Sequence, residues 1–342
     1  MRNTYAPVIV FVYNRPEHTK TVLESLAQAY GAEKTELFIF SDGEKGKADH
    51  EQVVKTRQIL AAFKNKQLFR SVTVIERETN RGLAASVISG VNEVIKITGR
   101  VIVLEDDMTA QKGLLNFLND ALDYYENNKR IWSVSGYTIK MDIPSSYKKD
   151  VYFGYRGASC TWATWLDRWE LCDWSVKSYS RFKYNPVSRH KLNRGGEDMA
   201  MMLDEQMHGL ISSWAIRWTF CQYENNMLTV FPVKTLAVNN GYDGSGTNCF
   251  SIEEGIQQKT WDKTSGFQFC DVELRKDIVE MFHANFSGSF ISTVKLKIRS
   301  LLLRVFHLVL RNDGNGLKIT TLKKARKYNT QIAEARYLKN DN

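Results

Sequence analysis

Residues 1–137 alternate between short apolar runs and helical stretches, and this alternation restricts the possible folds more than any other feature of the sequence. Pro7–Val12 is a continuous apolar run, as expected of a strand buried on both faces, and Pro16 begins a helical stretch that continues to Leu26. The predicted order is β-α-β-α-β-α-β-α-β. Such an order predicts an α/β fold with a mostly parallel sheet and helices on both faces. Ligands of such sheets bind beyond the carboxyl ends of the strands.

The other elements of this region follow from the same patterns. The remaining strands are predicted at Leu37–Ser41, Ser71–Glu76, Val101–Leu104 and Trp132–Gly136, and the remaining helices at His50–Phe63, Leu83–Ile97 and Lys112–Asn127. From Met141 to Phe269 the pattern is irregular, and only Glu197–Gln206 predicts a helix. Ser287–Leu310 is apolar with interleaved basic residues, which predicts a separate C-terminal helical segment.

The excess of positive over negative charge lies entirely at the C-terminal end of the chain. The net charge is +9, and residues 291–342 carry twelve lysines and arginines against three acidic residues, whereas residues 1–290 carry thirty-five of each. A basic terminal segment favours the phosphates of lipid headgroups or of nucleic acid.

The cysteines and the apolar runs indicate where the protein resides. The five cysteines are odd in number and show no CxxC spacing, which is typical of a reduced, intracellular protein and not of a disulfide framework or a zinc site. The apolar run near the N-terminus is interrupted at Asn14, so it is too short for a signal peptide, and the sequence contains no membrane-spanning stretch. We therefore expect a cytoplasmic location.

Three consecutive acidic residues, Glu105, Asp106 and Asp107, directly follow the buried run Val101–Leu104. At the carboxyl edge of a sheet they must either be solvated or bind a cation. Glu105 and Asp107 point the same way from an extended chain, and their hard oxygens suit Mg²⁺ or Mn²⁺. The alternative is a solvated connection to the next helix. The sequence has no P-loop motif, and no GxGxxG follows its first strand, which leaves nucleotide-sugar chemistry as the leading interpretation.

An ordered set of motifs resembles the GT-A glycosyltransferases, and in particular the inverting N-acetylglucosaminyltransferase I type, with kinship to the bacterial family-2 transferases. The motifs are VYNRP (Val12–Pro16), SDGEKG (Ser41–Gly46), NRGLAAS (Asn80–Ser86), VLEDDM (Val103–Met108), WSVSGY (Trp132–Tyr137), TWATWLDRWE (Thr161–Glu170), GGED (Gly195–Asp198) and NNGYDGSGTNC (Asn239–Cys249). Two features depart from that branch. Its Golgi members begin with a membrane anchor, whereas the first strand predicted here begins at Pro7. Its catalytic-base motif has two aspartates among tryptophans, whereas this sequence has GGED.

The resemblance implies a GT-A, Rossmann-like fold of three parts. Residues 1–137 would bind the nucleotide sugar, residues 138–285 would form the acceptor-binding and catalytic half of the same domain, and residues 286–342 would form a basic amphipathic C-terminal segment.

The resemblance also implies roles on the donor side. Asp107 would bind the metal, Glu105 would reach the ribose, and Asp106 would lie near either of them. Asp42 would accept the uracil imide hydrogen, unless it is only a turn residue before a glycine. The remaining donor-side residues are Arg15, placed against the base or the diphosphate or else solvated, and Arg81 in the NRGLAAS motif.

On the acceptor side, inverting transfer requires a base that takes the proton of the acceptor hydroxyl. The resemblance assigns this role to Asp198, with Glu197 as the other candidate, whereas the alternative is an acid in the first turn of a helix. Trp162 and Trp214 are candidate sugar platforms because an aromatic face packs on a pyranose, although most tryptophans pack in the core.

The expected function is that of an inverting, Mn²⁺- or Mg²⁺-dependent glycosyltransferase. It would move a sugar, N-acetylglucosamine or a relative, from a UDP-sugar to a glycan or lipid-linked acceptor. The alternatives are a nucleotidyltransferase acting on sugar phosphates and a nucleic-acid-binding protein that uses the basic tail. Because residues 1–290 are neutral and no nucleic-acid-binding module is recognised, we expect no nucleic-acid partner. Ser287–Leu310 predicts a helix that lies on the anionic inner face of the membrane or docks on the catalytic body.

Overall fold

The computed structural model describes residues 5–241, 260–312, 317–327 and 329. The strands are β1 (Val8–Val12), β2 (Glu36–Ser41), β3 (Ser71–Glu76), β4 (Arg100–Glu105), β5 (Met108–Ala110), β6 (Ile131–Ser135), β7 (Val151–Gly154), β8 (Thr161–Trp165), β9 (Leu228–Pro232), β10 (Ala237–Asn239), β11 (Leu308–Asn312) and β12 (Leu317–Thr321). The helices are α1 (Pro16–Ala27), α2 (His50–Lys64), α3 (Leu83–Thr98), α4 (Leu114–Tyr125), α5 (Leu166–Trp169), α6 (Tyr179–Phe182), α7 (Pro186–Leu192), α8 (Met199–Met207), α9 (Trp214–Glu224), α10 (Lys276–Asn285) and α11 (Phe290–Phe306).

The centre of the protein is an eight-stranded sheet with the order β3-β2-β1-β4-β8-β6-β9-β7. Strands β3, β2, β1 and β4 pair in parallel, as do β6 and β9, and β8 lies antiparallel between β4 and β6. The edge strand β7 is also antiparallel to its neighbour. Six strands therefore run the same way, which confirms the predicted mostly parallel α/β fold.

The predicted elements of residues 1–137 are all present with nearly the predicted bounds. Burial explains this agreement, since all five residues of β1 and all five of β6 are buried. Pro16 is the first residue of α1, where its fixed φ costs nothing. Helix α3 ends at Gly99, whose φ of 76° lies in the left-handed region that favours glycine.

Helices cover both faces of the sheet. Apolar residues of α1, α2 and α4 pack on one face, and those of α3, α5, α9 and α10 pack on the other. The second face contains most of the tryptophans, including Trp132, Trp162 and Trp218, none of which is exposed. Helices α6, α7 and α8 form a third apolar cluster with α9.

The region from residue 141 to 269 is more regular than predicted. It contributes β7, β8 and β9 to the central sheet and contains five helices, α5 to α9, where the sequence predicted one. The short helices, of four to seven residues in α5 to α7, have too few turns to show a helical period. In β8 every residue is buried, so its sequence does not alternate between apolar and polar.

The predicted C-terminal helix is present as α11, and it docks on α8. The carboxylate of Asp204, which is fully buried in α8, accepts a hydrogen bond of 2.6 Å from the hydroxyl of Ser300. Arg189 also donates to Asp204 with two nitrogens, at 2.9 and 2.7 Å. After α11 follows the hairpin β11–β12, which the sequence did not predict. Within the described residues, none of the helices has the length and apolar character needed to cross a membrane.

Candidate functional site

The carboxyl ends of β1, β2 and β4 meet at the middle of the sheet. Val12 pairs with Ser41 in β2, and Phe11 pairs with Glu105 in β4. The residues that follow these three strands therefore lie side by side, at the edge where open α/β sheets bind ligands. Several of the candidate donor-side residues of the sequence are located here.

Arg15 connects the loop after β1 to the acidic residues after β4. Its Nη2 forms ion pairs with Asp106 and, at 3.2 Å, with Asp107, and its Nε donates to Asp106 at 3.3 Å. The third nitrogen, Nη1, is buried and has no hydrogen-bond partner within the described part of the chain. A buried unsatisfied guanidinium N–H is costly, and it is oriented for an acceptor that an anionic ligand can supply.

The acidic residues are desolvated and repel one another. Burial, together with the charges of Asp107 and Asp106, raises the pKa of Glu105 to about 8, although Arg15 and a hydrogen bond from Trp214 oppose the shift. Burial also raises the pKa of Asp106, against the effect of Arg15. The charges of Asp106 and Asp107 outweigh burial and raise the pKa of Arg15. One guanidinium therefore does not fully compensate this cluster, and a bound cation would stabilise it further.

The antiparallel ribbon β5–β10 brings a second group of residues to Asp107. The backbone N–H of Asn240 donates to the carbonyl of Asp107 at 2.8 Å. A Cβ on Gly241 would lie 2.6 Å from Oδ2 of Asp107 and 3.1 Å from Oδ1 of Asn239. Only glycine therefore lets the chain pass so close to this carboxylate. The motif Asn239–Cys249 was predicted to lie near the donor, and its residues 242–249 lie outside the described part of the chain.

The oxygens at this position fit a hard divalent cation. The Asp107 carboxylate, with 12% of its side chain exposed, and the Asn239 amide oxygen are the ligand types that Mg²⁺ and Mn²⁺ take in proteins. Among the residues described, no group of three or more His, Cys, Asp or Glu side chains is arranged to hold a metal ion. This set suits an ion that is held by one or two protein groups and completed by substrate phosphates.

Asp42 is occupied by hydrogen bonds to the chain itself. Its carboxylate accepts from the backbone N–H groups of Gly43 at 3.1 Å, Arg81 at 2.9 Å and Gly82 at 3.1 Å, and from the hydroxyl of Ser86 at 3.3 Å. These bonds fix the turn that begins α3. The structure thus gives Asp42 the turn role that was the alternative to uracil binding, while its contact with a base stays a prediction.

A second aspartate, Asp49, joins the loops after β1 and β2, and the sequence analysis missed it. It is buried and accepts hydrogen bonds from the Tyr13 hydroxyl at 2.7 Å and from Nδ2 of Asn14 at 3.1 Å. It lies in a short 3₁₀ turn, Lys47–Asp49, just before α2. The only sequence signal was an acidic residue just before a helix, which is typical of a cap and not of a loop anchor.

Trp214 lies beside the acidic residues, whereas Trp162 lies within the tryptophan cluster of the core. Trp214, at the start of α9, lies near enough to Glu105 to oppose the rise in the pKa of that carboxyl group, and so belongs to the candidate site. Trp162 is fully buried, and its ring lies 5.3 Å from Trp214, 5.5 Å from Trp218 and 5.8 Å from Trp169. No face of the Trp162 ring is open to a sugar in this structure. Its observed role is the packing role that was the alternative.

The candidate base Asp198 lies at the other edge of the sheet. Both of its oxygens accept from Arg156 at 2.9 Å, and Arg156 follows Gly154, which pairs with Thr229 near the amino end of β9. Strand β7 is four strands from β4, or roughly 19 Å at about 4.8 Å per strand. The side-chain contacts of Asp198 are therefore with Arg156 and not with the acidic residues after β4.

Glu197 is separated from the acidic residues in the same way. Its carboxylate accepts from Asn193 at 3.2 Å and lies 3.7 Å from His283 in α10. Neither residue of the predicted catalytic pair thus contacts the Glu105–Asp107 segment. Asp198 immediately precedes α8, as the alternative interpretation of a helix-start acid predicted, although its side chain forms no cap hydrogen bond.

A cavity of about 440 Å³ lies between α3 and the start of α9, next to the carboxyl edge of the parallel strands. Its polar lining consists of Arg81, Ser89, Asn92, Ser212 and Arg217. The backbone of Arg81 is bound by Asp42, so the cavity adjoins the turn after β3. The structure thus places the Arg81 side chain in a basic cavity beside the candidate site.

Comparisons with known proteins add one structural likeness. No protein-family model matches the chain, and no curated protein matches it. Among solved structures, the crystal structure of S. aureus TarS matches with 16% sequence identity and a TM-score of 0.41. The match covers 68% of this chain and 36% of that chain, so this chain spans about a third of the length of its match. A likeness of this size carries no argument about activity.

Proposed function

We propose that the protein is a metal-dependent glycosyltransferase that takes its sugar from a nucleoside diphosphate donor, a UDP-sugar such as UDP-N-acetylglucosamine. The observation that carries the proposal is the arrangement at the carboxyl edge of β4, where Arg15 bridges Asp106 and Asp107 beside Asn239. This edge combines a buried cationic donor with hard anionic oxygens. A diphosphate with a divalent cation has the complementary charges.

In this proposal Asp107 and Asn239 hold a Mn²⁺ or Mg²⁺ ion. When bound, the ion offsets the negative charge that develops on the leaving nucleoside diphosphate. Gly241 allows the Asn239 segment to approach Asp107, because any side chain at this position would collide with the carboxylate.

Arg15 supplies the second positive charge. Its Nη1 has no hydrogen-bond partner among the residues that the structure describes, so it can donate to a phosphate oxygen without giving up either carboxylate. Asp106 and Asp107 hold the guanidinium in place on its other side. Preorganised donors of this kind stabilise developing charge because they need not reorganise during the reaction.

Glu105 takes the ribose position that the resemblance implies. Trp214 lies beside its carboxyl group and favours the charged form, and Trp214 is in turn held by packing against Trp162. The basic cavity lined by Arg81 and Arg217 lies beside the same carboxyl edge of the sheet. We place the remainder of the donor or the acceptor in that cavity.

Inverting transfer to a glycan or lipid-linked acceptor is the finer part of the proposal, and it rests on the sequence resemblance. The base that takes the acceptor proton must lie within hydrogen-bond reach of that hydroxyl. Asp198 contacts Arg156, and Glu197 contacts Asn193 and His283. Neither contacts the residues after β4, so we place the base elsewhere, at the carboxyl edge of the sheet.

The test measures UDP release from a panel of UDP-sugars, with and without Mn²⁺, for the intact chain and for three variants. Asp107→Asn and Arg15→Gln should each lower turnover by roughly 10²-fold or more, the usual effect of removing a preorganised charge partner. The control Asp167→Asn removes a carboxylate that pairs with Lys129 and Arg168 outside the site, and it should keep full activity. Metal-independent turnover, or an active Asp107→Asn protein, would remove the proposal.

The products separate this proposal from the nucleotidyltransferase alternative. A glycosyltransferase releases UDP and forms a glycoside, whereas a nucleotidyltransferase working on a sugar phosphate and a nucleoside triphosphate releases pyrophosphate. Mass spectrometry of both reaction mixtures distinguishes them. Pyrophosphate formation that depends on Asp107 would assign the same site to the second reaction.

A further inference from the structure

Helix α11 exposes a continuous apolar stripe although it is docked on the body of the protein. Large apolar side chains along the helix are exposed, including Phe290 at 83%, Ile298 at 47% and Leu301 at 49%. We define the stripe as six of these residues, Phe290, Ile291, Val294, Ile298, Leu301 and Val305, whereas Phe306, which is also exposed, lies outside it at the end of the helix. At 3.6 residues per turn these positions fall within an arc of about 100°, so they form one face of the helix.

The opposite face of α11 is fixed to α8. Leu303 is buried against Met201, Ser300 donates to Asp204, and Arg299 pairs with Glu205 at 3.0 Å. These contacts prevent the helix from turning its stripe inward. The exposure of the stripe is therefore a property of the docked helix, and a soluble surface rarely carries such a contiguous patch without a binding role.

The charged residues on both sides of the stripe are basic. Lys295 and Lys297, both exposed, project about 40° and 20° beyond the two borders of the arc, and α11 contains no acidic residue. The excess positive charge of the whole chain also begins in this segment. Basic residues on either side of an apolar face are typical of helices that lie in the interface of an anionic membrane.

We propose that the apolar stripe of α11 binds the surface of an anionic lipid membrane while its opposite face stays docked on α8. The two functions predicted as alternatives for this segment, docking and membrane contact, thus belong to two faces of one helix. A second copy of the chain is the competing occupant. A two-fold contact through the stripe would bring the lysines of two copies together, whereas anionic headgroups pair with them.

The test is flotation of the full chain with vesicles of phosphatidylglycerol and phosphatidylcholine, at low and high salt. Binding should be strong to the anionic vesicles and fall as salt rises. The variant Ile298→Gln/Leu301→Gln should reduce binding by roughly tenfold or more, since two large aliphatic side chains leave the interface. The variant Lys295→Gln/Lys297→Gln should reduce binding to anionic vesicles by about tenfold or more and leave binding to neutral ones unchanged.

The matched control is Ile97→Gln/Val187→Gln, which removes two exposed apolar side chains outside α11, at 86% and 60% exposure. It should bind vesicles as the unmodified protein does. All replaced side chains are exposed, so thermal unfolding should stay within a degree or two of the parent. UDP release from a soluble donor should also be unchanged by the stripe variant, which separates this proposal from the proposed function.

Two results would overturn the membrane assignment. The first is equal binding, or equal absence of binding, by the parent and the stripe variant. The second is a dimer in sedimentation velocity that the stripe variant dissociates while vesicles bind neither protein. That result would assign the stripe to a second copy of the chain.

Discussion

Replacing Asp198 by asparagine distinguishes the motif-based role of this residue from its position in the structure. The GGED motif predicts a catalytic base, whose loss should lower kcat by roughly 10²–10⁴-fold. In the structure Asp198 pairs with Arg156 near the amino end of β9, four strands from β4. A base must come within about 3 Å of the hydroxyl it deprotonates, and the carboxylate of Asp198 contacts Arg156 and not the residues after β4. We therefore expect Asp198→Asn to leave kcat within about twofold of the parent.

The structure predicts a loss of stability instead. The two hydrogen bonds of 2.9 Å from Arg156 lose their charged acceptor, but the side chains are 28% and 19% exposed, so solvent screens the pair. About 1 kcal/mol is a reasonable cost, and in a chain of this length that corresponds to a decrease in Tm of roughly 2 °C. Arg156→Gln should produce a larger decrease, because it also removes the contact of the guanidinium with the Phe286 ring, 4.0 Å away.

The assay combines steady-state UDP release with thermal unfolding on the same preparations. Asp107→Asn is the reference for a lost site residue, with low kcat and an intact fold. The reasoning would be refuted by an Asp198→Asn protein that keeps its Tm and loses a hundredfold or more in kcat. That outcome would require α8 to move to the carboxyl edge of the sheet during turnover.

Three further outcomes follow from buried polar groups. Asp42→Asn should lower the free energy of unfolding by about 3 kcal/mol in urea titrations, because an amide NH₂ replaces an oxygen that accepts backbone N–H groups. An unchanged free energy of unfolding would show that the turn does not need the carboxylate. Asp204→Ala should cost about 3–5 kcal/mol, since Arg189 is left buried without its acceptor, and a cost below about 1 kcal/mol would contradict a structural role for this pair. The thiols of Cys172 and Cys221 are free and buried, and burial raises the pKa of Cys172, so both should resist alkylation until urea unfolds the protein, and rapid labelling of either thiol in the folded protein would contradict their burial.

The parallel half of the sheet was predictable because its strands and helices are each specified locally. Ser71–Glu76 has the bounds that were predicted from its residues alone. Strand β8 was not predicted as part of the sheet, since its place between β4 and β6 depends on pairings with residues about 30 to 60 positions away. No local pattern specifies such pairings, and a strand buried on both faces shows no alternation.

The candidate site was predictable to a similar extent. The acidic residues after β4 and Arg15 after β1 follow buried strands, so the topology alone brings them together. The GGED motif follows no strand of the parallel set, and its position depends on how α8 packs against α9 and on where Arg156 lies. The resemblance transferred a role to Asp198, but only the register of β7 and β9 decides which edge of the sheet it occupies.

The tryptophans on one face of the sheet have a spectroscopic consequence. Trp132, Trp162, Trp169, Trp174, Trp214 and Trp218 are linked by ring separations of 4.3 to 6.1 Å. Indoles this close exchange excitation energy and couple their transitions, so they should absorb and emit as one chromophore with an intense near-ultraviolet circular dichroism band. Trp214 is the member of this chromophore that interacts with Glu105. A ligand that displaces or neutralises that carboxylate should therefore change the emission of all six rings, and the protein carries its own optical reporter of the candidate site.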